Sequence, residues 1–233
     1  MSEAPAVAPA ASLATYPARL IESSVSEFAK VLPPSLPPEK FARWGLSVLR
    51  NGLSPGTTDQ QRKTMAAWQR VLAPDNEAGR LSVMSALMDC ASLGLEPGRT
   101  YHLVPYAGIV TGITDYKGEV QLIANARKDT HVIAVLVREG DRFEYQGAAR
   151  EPLHEIDPFS GKPAGPVQGG YAYTMTRGQV SSLVLAMGDA EFGKHQDKGG
   201  PAWGAWPEAM RLKTLVHQLR KFVPWSAERL WAE

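Results

Sequence analysis

Leu93 to Lys128 reads LGLEPGRTYHLVPYAGIVTGITDYKGEVQLIANARK, and within it helical periodicity gives way to the texture of strands and turns. Gly94 follows a long helical pattern, at the place where a left-handed residue caps a helix. Pro97-Gly98 then turns the backbone into Tyr101-His-Leu-Val-Pro-Tyr106, a strand with an aromatic residue at each end. Tyr116-Lys117-Gly118 opens a short amphipathic helix that closes on Arg127-Lys128.

Upstream of this stretch the pattern is helical. Pro17 to Leu32 carries apolar positions at Leu20, Ile21, Val25, Phe28, Val31 and Leu32 before Pro33-Pro-Ser-Leu-Pro-Pro38 stops it as a stiff spacer. Three further helices are expected at Glu39–Asn51, Thr57–Leu72 and Asn76–Leu93, punctuated by Pro55-Gly56 and Pro74-Asp75. Downstream, two hairpins are expected. One joins His131–Val137 to Arg142–Tyr145 through Glu139-Gly140-Asp141, and the other joins Gly170–Thr176 to Gln179–Met187 through Arg177-Gly178. Glu151 to Gly169, rich in Pro and Gly, reads as a long connection. Helices followed by hairpins predict an α+β fold: a helical N-terminal half, an antiparallel sheet, and a C-terminal amphipathic basic helix.

With 233 residues and 44% hydrophobic content the chain is long enough to bury a real core. The Ala/Pro-rich residues 1–16 predict a disordered tail, 17–227 one large domain, and 228–233 a C-terminal end. Neither a membrane-length apolar run nor the basic start and apolar core of a secretory signal is present, and the single cysteine, Cys90, sits inside a helical pattern. A cytoplasmic protein with a buried thiol is the expectation. The net charge is only +1, but it is segregated: 0 over residues 1–98, +2 over 99–128, −3 over 129–200 and +2 over 201–233. Two positive segments can form one stripe if the fold brings them together.

The second positive segment contains PEAMRLKTLVHQLRKFV, Pro207 to Val223, with Pro at a helix start and Pro224 just past the end. At about 100° per residue, Leu212, Leu215, Val216, Leu219, Phe222 and Val223 share one arc, while Lys213, His217, Arg220 and Lys221 share another. No acid lies between Arg211 and Val223, which predicts a continuous basic ridge above an apolar stripe. A solvated helix end whose cations complement the macrodipole is the plain alternative.

Gly94-Leu-Glu-Pro97, Leu103-Val-Pro-Tyr106, Tyr116-Lys-Gly118 and Trp206-Pro-Glu-Ala-Met-Arg-Leu-Lys-Thr214 followed by Leu219-Arg-Lys221 and Pro224, in this order and spacing over roughly Phe41 to Ala227, resemble the RecT family of phage single-strand DNA annealing proteins. The resemblance implies binding of single-stranded DNA and of the annealed duplex intermediate, annealing without ATP, a ring or filament of identical protomers, and work beside a phage exonuclease and a host single-strand-binding protein. It implies no membrane, and no metal for binding. With Glu233 so soon after the basic helix, no sizeable C-terminal docking region is expected.

The DNA-binding candidates are Arg99, Tyr106, Tyr116, Lys117, Arg127, Lys128, Arg211, Lys213, His217, Arg220 and Lys221. Lysine and arginine neutralise phosphates and release condensed counterions, so five contacts would give a slope of log K against log salt of about −3.5. Gly118, lacking a side chain, would let a backbone approach beside Lys117. Of Tyr101, Tyr106 and Tyr116, about one is expected to touch a base, and Trp203, Trp206 and Trp225 are expected in the core or at a protomer contact.

Two enzymatic readings compete. Gly188-Asp-Ala-Glu-Phe-Gly193-Lys194-His195 copies part of a phosphate-binding loop, but His195 stands where Ser or Thr should hold Mg²⁺, and Asp189 and Glu191 would repel phosphate. A metal-dependent nuclease would draw on acids of the 129–157 region, Asp129, Asp141, Glu144 and Asp157, with His154 nearby, although their spacing fits no ligand pattern. A scaffold that oligomerises without DNA is the third class.

Overall fold

The computed structural model describes residues 18–156, 165–181, 183–197, 202–228 and 230. The tail expected at 1–16 and the candidate acid Asp157 lie outside them, as does most of 228–233. The chain divides into two compact units, Met1–Gly118 and Glu119–Glu233. Among the described residues no helix is long and apolar enough to cross a membrane.

The first unit is the helical half. After helical residues 18–23 come α1 (Val25–Val31), α2 (Pro38–Leu53), α3 (Asp59–Val71) and α4 (Glu77–Ser92). Pro38 opens α2, where its missing N–H costs nothing, so the last proline of the expected spacer starts a helix. Thr58 and Gln61 form a reciprocal capping box at α3, and the Asn76 side chain accepts from the Gly79 N–H at α4. Phe28, Phe41, Leu49, Trp68, Val71, Val83, Leu87 and Cys90 are buried, with the Phe28 and Phe41 rings edge to face at 5.1 Å. Gly94 takes the expected left-handed conformation (φ 62°) and ends α4.

Strands β1 (Tyr101–Tyr106) and β2 (Ile109–Thr114) pair antiparallel in a hairpin, and α5 (Tyr116–Ala126) follows. Tyr101 and Leu103 point inward, whereas Val104, Tyr106, Ile109 and Ile113 are exposed.

The second unit carries the sheet. Its central strand β6 (Val167–Thr176) is flanked on one side by β3 (Thr130–Arg138) and on the other by β7 (Gln179–Val180) and β8 (Leu185–Gly188), all antiparallel. The expected hairpin between 131–137 and 142–145 does not form. β3 pairs with β6, while β4 (Arg142–Glu144) pairs with β5 (Leu153–Glu155) inside the stretch read as a connection. The second expected hairpin is present, with its return strand split into β7 and β8.

Short helices α6 (Asp189–Asp197) and α7 (Ala202–Ala205) precede the closing helix α8 (Pro207–Arg220). One core joins Ile123 of α5, Leu136, Ala172, Met187, Phe192, Trp203, Leu215, Leu219 and Val223. A second, around Val137, Tyr171, Tyr173 and Val184, takes in Phe143 of the β4–β5 hairpin. Residues of the strand pair β3–β6 thus alternate between α8 and the small hairpin.

Candidate nucleic-acid interface

α8 lays Leu215 and Leu219 against the sheet, Val216 is buried as well, and Val223 continues the stripe past its end. Phe222, expected in that stripe, is instead 60% exposed, because the helix stops at Arg220 and the phase changes beyond it. His217 and Lys221 face solvent, and Lys213 and Arg220 are half-buried.

The ridge is not free of acids. Arg211 donates to Asp189 of α6 at 2.7 Å, its guanidinium lies 5.8 Å from the Phe192 ring centroid, and its side chain is only 18% exposed. His217 Nδ1 meets Glu119 Oε1 at 2.6 Å, and the Arg220 guanidinium is 3.8 Å from the same oxygen. Glu119 is 3% exposed at its side chain, and a carboxylate so placed needs opposite charge beside it. The α8 sequence lacks acids in this stretch, but α5 and α6 bring them in space. Lys213 and Lys221 form no ion pair among the described residues; Lys221 donates to Gln218 at 2.8 Å.

Beyond α8 the chain returns along α5. The Ser226 N–H donates to the Leu122 carbonyl at 2.9 Å, and Asn125 Nδ2 donates to the carbonyls of Ser226 and Ala227, each at 3.3 Å. Arg127 consequently lines a small hollow with Ile123, Thr130, Val223 and Pro224. Arg127 and the adjoining Lys128, both exposed, fall just past the α5 terminus rather than in its last turn. Residues from both positive segments of the sequence therefore meet in the second unit, at the C-terminal end of α8. Trp225 is part of this surface: Arg220 sits 4.6 Å from its ring centroid, and the residue is 47% exposed.

The remaining candidates belong to the first unit. Arg99 is exposed and 3.4 Å from Glu96. Tyr106, beside the β1–β2 turn, is 76% exposed, whereas Tyr101 is buried and its hydroxyl packs over Gly112. Lys117 is exposed with its amine 6.0 Å from the Tyr116 ring centroid. Gly118 does admit a close backbone, but it is the chain's own: a Cβ there would run into the Thr100 carbonyl oxygen.

Of the residues behind the enzymatic readings, Asp141 and His154 have local partners. Asp141 accepts from the Arg138 N–H at 2.7 Å and lies 3.1 Å from His154 Nε2, while Glu155 pairs with Arg142 at 3.1 Å. Among the described residues no group of three or more His, Cys, Asp or Glu is placed to hold a metal ion. The apparent phosphate loop contains no loop, since α6 starts at Asp189 directly after β8. Glu119 is what the sequence reading missed, and Trp225, expected in the core or at a protomer contact, is half exposed. Glu119 was detectable, because it shares a helix face with Leu122, Ile123 and Ala126 at spacings of three, four and seven.

Comparison with known proteins agrees with the motifs. Protein RecT of Escherichia coli (strain K12) is 29% identical over 168 residues, an overlap that covers 64% of this chain and 60% of that protein's length. The profile of the RecT family matches residues 58–233, from the capping threonine of α3 through both units and the closing helix. This chain belongs to the RecT family.

Proposed function

We propose that this protein binds single-stranded DNA and anneals complementary strands, without ATP, in phage-type homologous recombination. The observation that carries this reading is the closeness of Arg127 to the segment just past the closing helix, where it lines a hollow with Val223 and Pro224, with exposed Lys128 next to Arg127 and exposed Lys221 two residues before Val223, in a chain of the RecT family. Cations spaced along an exposed surface hold a strand by its phosphates and ignore its sequence. With the backbone neutralised, two strands no longer repel, and each matched step contributes about 1.4 kcal/mol of stacking. Nucleotide hydrolysis is then unnecessary.

A homo-oligomer, ring or filament, multiplies modest contacts along one strand. We place its protomer contacts on the helical first unit and assign Arg99, Tyr106, Tyr116 and Lys117 as that unit's contacts to DNA. Arg211, held by Asp189, contributes mainly to structure. The working compartment is the host cytoplasm, beside a phage exonuclease and a host single-strand-binding protein.

The test is annealing of two complementary dye- and quencher-labelled oligonucleotides with EDTA present and nucleotide absent. Quenching should proceed faster than the protein-free rate. Failure to accelerate it, or strand cleavage on adding a divalent metal, would overturn the proposal.

A further inference from the structure

Tryptophans near a helix in a folded domain are expected in the core, and Trp203 follows that rule. Trp225 does not: it is 47% exposed, with Arg220 against its ring. Arg220 is itself tethered, 3.8 Å from the buried carboxylate of Glu119, which also holds His217. At that distance the guanidinium is an ion-pair partner without a hydrogen bond, so Glu119 positions it without saturating its donors. The result is a chain of supports, Glu119 to Arg220 to Trp225, ending in an aromatic ring. Exposed Lys221 and Phe222 precede it by four and three residues, and Pro224, its immediate neighbour, shares a hollow with Arg127.

We propose that Trp225 is a base-stacking site for a single-stranded nucleic acid, with Glu119 as its positioning residue; this rests on the single-strand reading above. The ligand follows from the chemistry on the surface. A flat apolar ring among cations suits a polymer that alternates aromatic bases with phosphates, whereas an apolar protein partner would leave Lys221, Arg127 and Lys128 without counter-charges. Stacking suits annealing as well. It engages the face of a base, is indifferent to which base, and leaves the Watson–Crick edge open to a partner strand. A ring already braced by Arg220 loses less freedom on binding than a mobile one.

The experiment compares an oligo-dT strand with a strand of equal length made of abasic tetrahydrofuran units, which keeps phosphates and removes bases. By fluorescence anisotropy the wild-type protein should prefer oligo-dT, and Trp225→Ala should lower oligo-dT affinity on the order of tenfold while leaving the abasic strand unchanged. Glu119→Gln should give a smaller loss of the same kind, confined to oligo-dT. Trp225→Phe keeps a ring and guards against misfolding. It should retain most of the preference but lose the quenching of tryptophan emission that oligo-dT produces in the wild type. A full oligo-dT preference in Trp225→Ala, or unchanged quenching in Trp225→Phe, would overturn the site while leaving single-strand binding intact. Wild-type protein that binds neither strand would remove the broader reading instead.

Discussion

Arg211 and Lys213 are two residues apart on one helix, yet their surroundings assign them different work. Arg211 is closed in by Asp189 and Phe192, and its Nε is buried with no hydrogen-bond partner among the described residues, so its charge is tied to α6. Lys213 has no acid beside it among the described residues. Arg211→Ala should therefore lower stability by about 1–2 kcal/mol, read from the urea midpoint, and leave single-strand affinity nearly unchanged. Lys213→Glu should do the reverse, weakening binding at constant midpoint; equal effects of the two substitutions would refute the division. From sequence alone both residues belong to one basic run. A linear count of acids cannot see Asp189 or Glu119 arriving from other elements, although the apolar register of Glu119 with Leu122 and Ile123 marks it as a buried acid in need of partners. Cys90 was legible in full. Burial, reinforced by the Asp89 charge, pushes its thiol well up, and it should react with a soluble disulfide reagent only when the protein unfolds.

Elements were legible where their signals are local and obscure where they depend on distant partners. The three long helices α2, α3 and α4 and the Gly94 cap follow from periodicity and turn chemistry within a few residues, whereas the helix expected over Pro17–Leu32 is interrupted at Ser24. The pairing of β3 was misread because Glu139-Gly140-Asp141 resembles a hairpin turn, while the actual partner, β6, lies far along the chain and offers the longer apolar ladder. The β4–β5 hairpin is then free to cover the sheet, where Phe143 stacks on Tyr171 at 5.6 Å and His154 bridges Asp141 and the Tyr171 hydroxyl at 3.1 and 3.2 Å. Burial alone would raise the Asp141 carboxyl. The Arg138 N–H, the His154 hydrogen bond and the neighbouring positive charge outweigh it and hold that carboxyl below the ordinary carboxylate range. A folded value below the unfolded one, which is about 3.9, means the stabilisation is present above that pH and is lost as pH falls through the depressed value. Asp141→Asn should thus cost about 1–2 kcal/mol at neutral pH. The gap between its urea midpoint and that of the wild type should shrink on acidification below about pH 4. A gap undiminished in acid would show that the carboxylate charge does not hold the hairpin.

At the scale of the whole molecule, a net charge of +1 is compatible with DNA binding only because the charge is unevenly placed, and the salt dependence of affinity measures how many cations take part. The basic segments taken at face value offer eight candidate cations, Arg99, Lys117, Arg127, Lys128, Arg211, Lys213, Arg220 and Lys221. The ion pairs of Arg99 with Glu96, Arg211 with Asp189 and Arg220 with Glu119 leave five, Lys117, Arg127, Lys128, Lys213 and Lys221, so the slope of log K against log salt should be about −3.5, at about 0.7 per contact. Single substitutions resolve the contributors. Arg127→Ala, Lys213→Ala and Lys221→Ala should each flatten the slope by about 0.7, and Arg211→Ala should leave it unchanged. Lys117 carries the most informative case, since it belongs to the other compact unit and stands in a Tyr-Lys-Gly motif rather than in a run of cations. If Lys117→Ala also flattens the slope by about 0.7, both units grip phosphates. If it weakens annealing with the slope intact, Lys117 acts on something other than the backbone charge, and the phosphate-binding surface contracts to α8 and the end of α5.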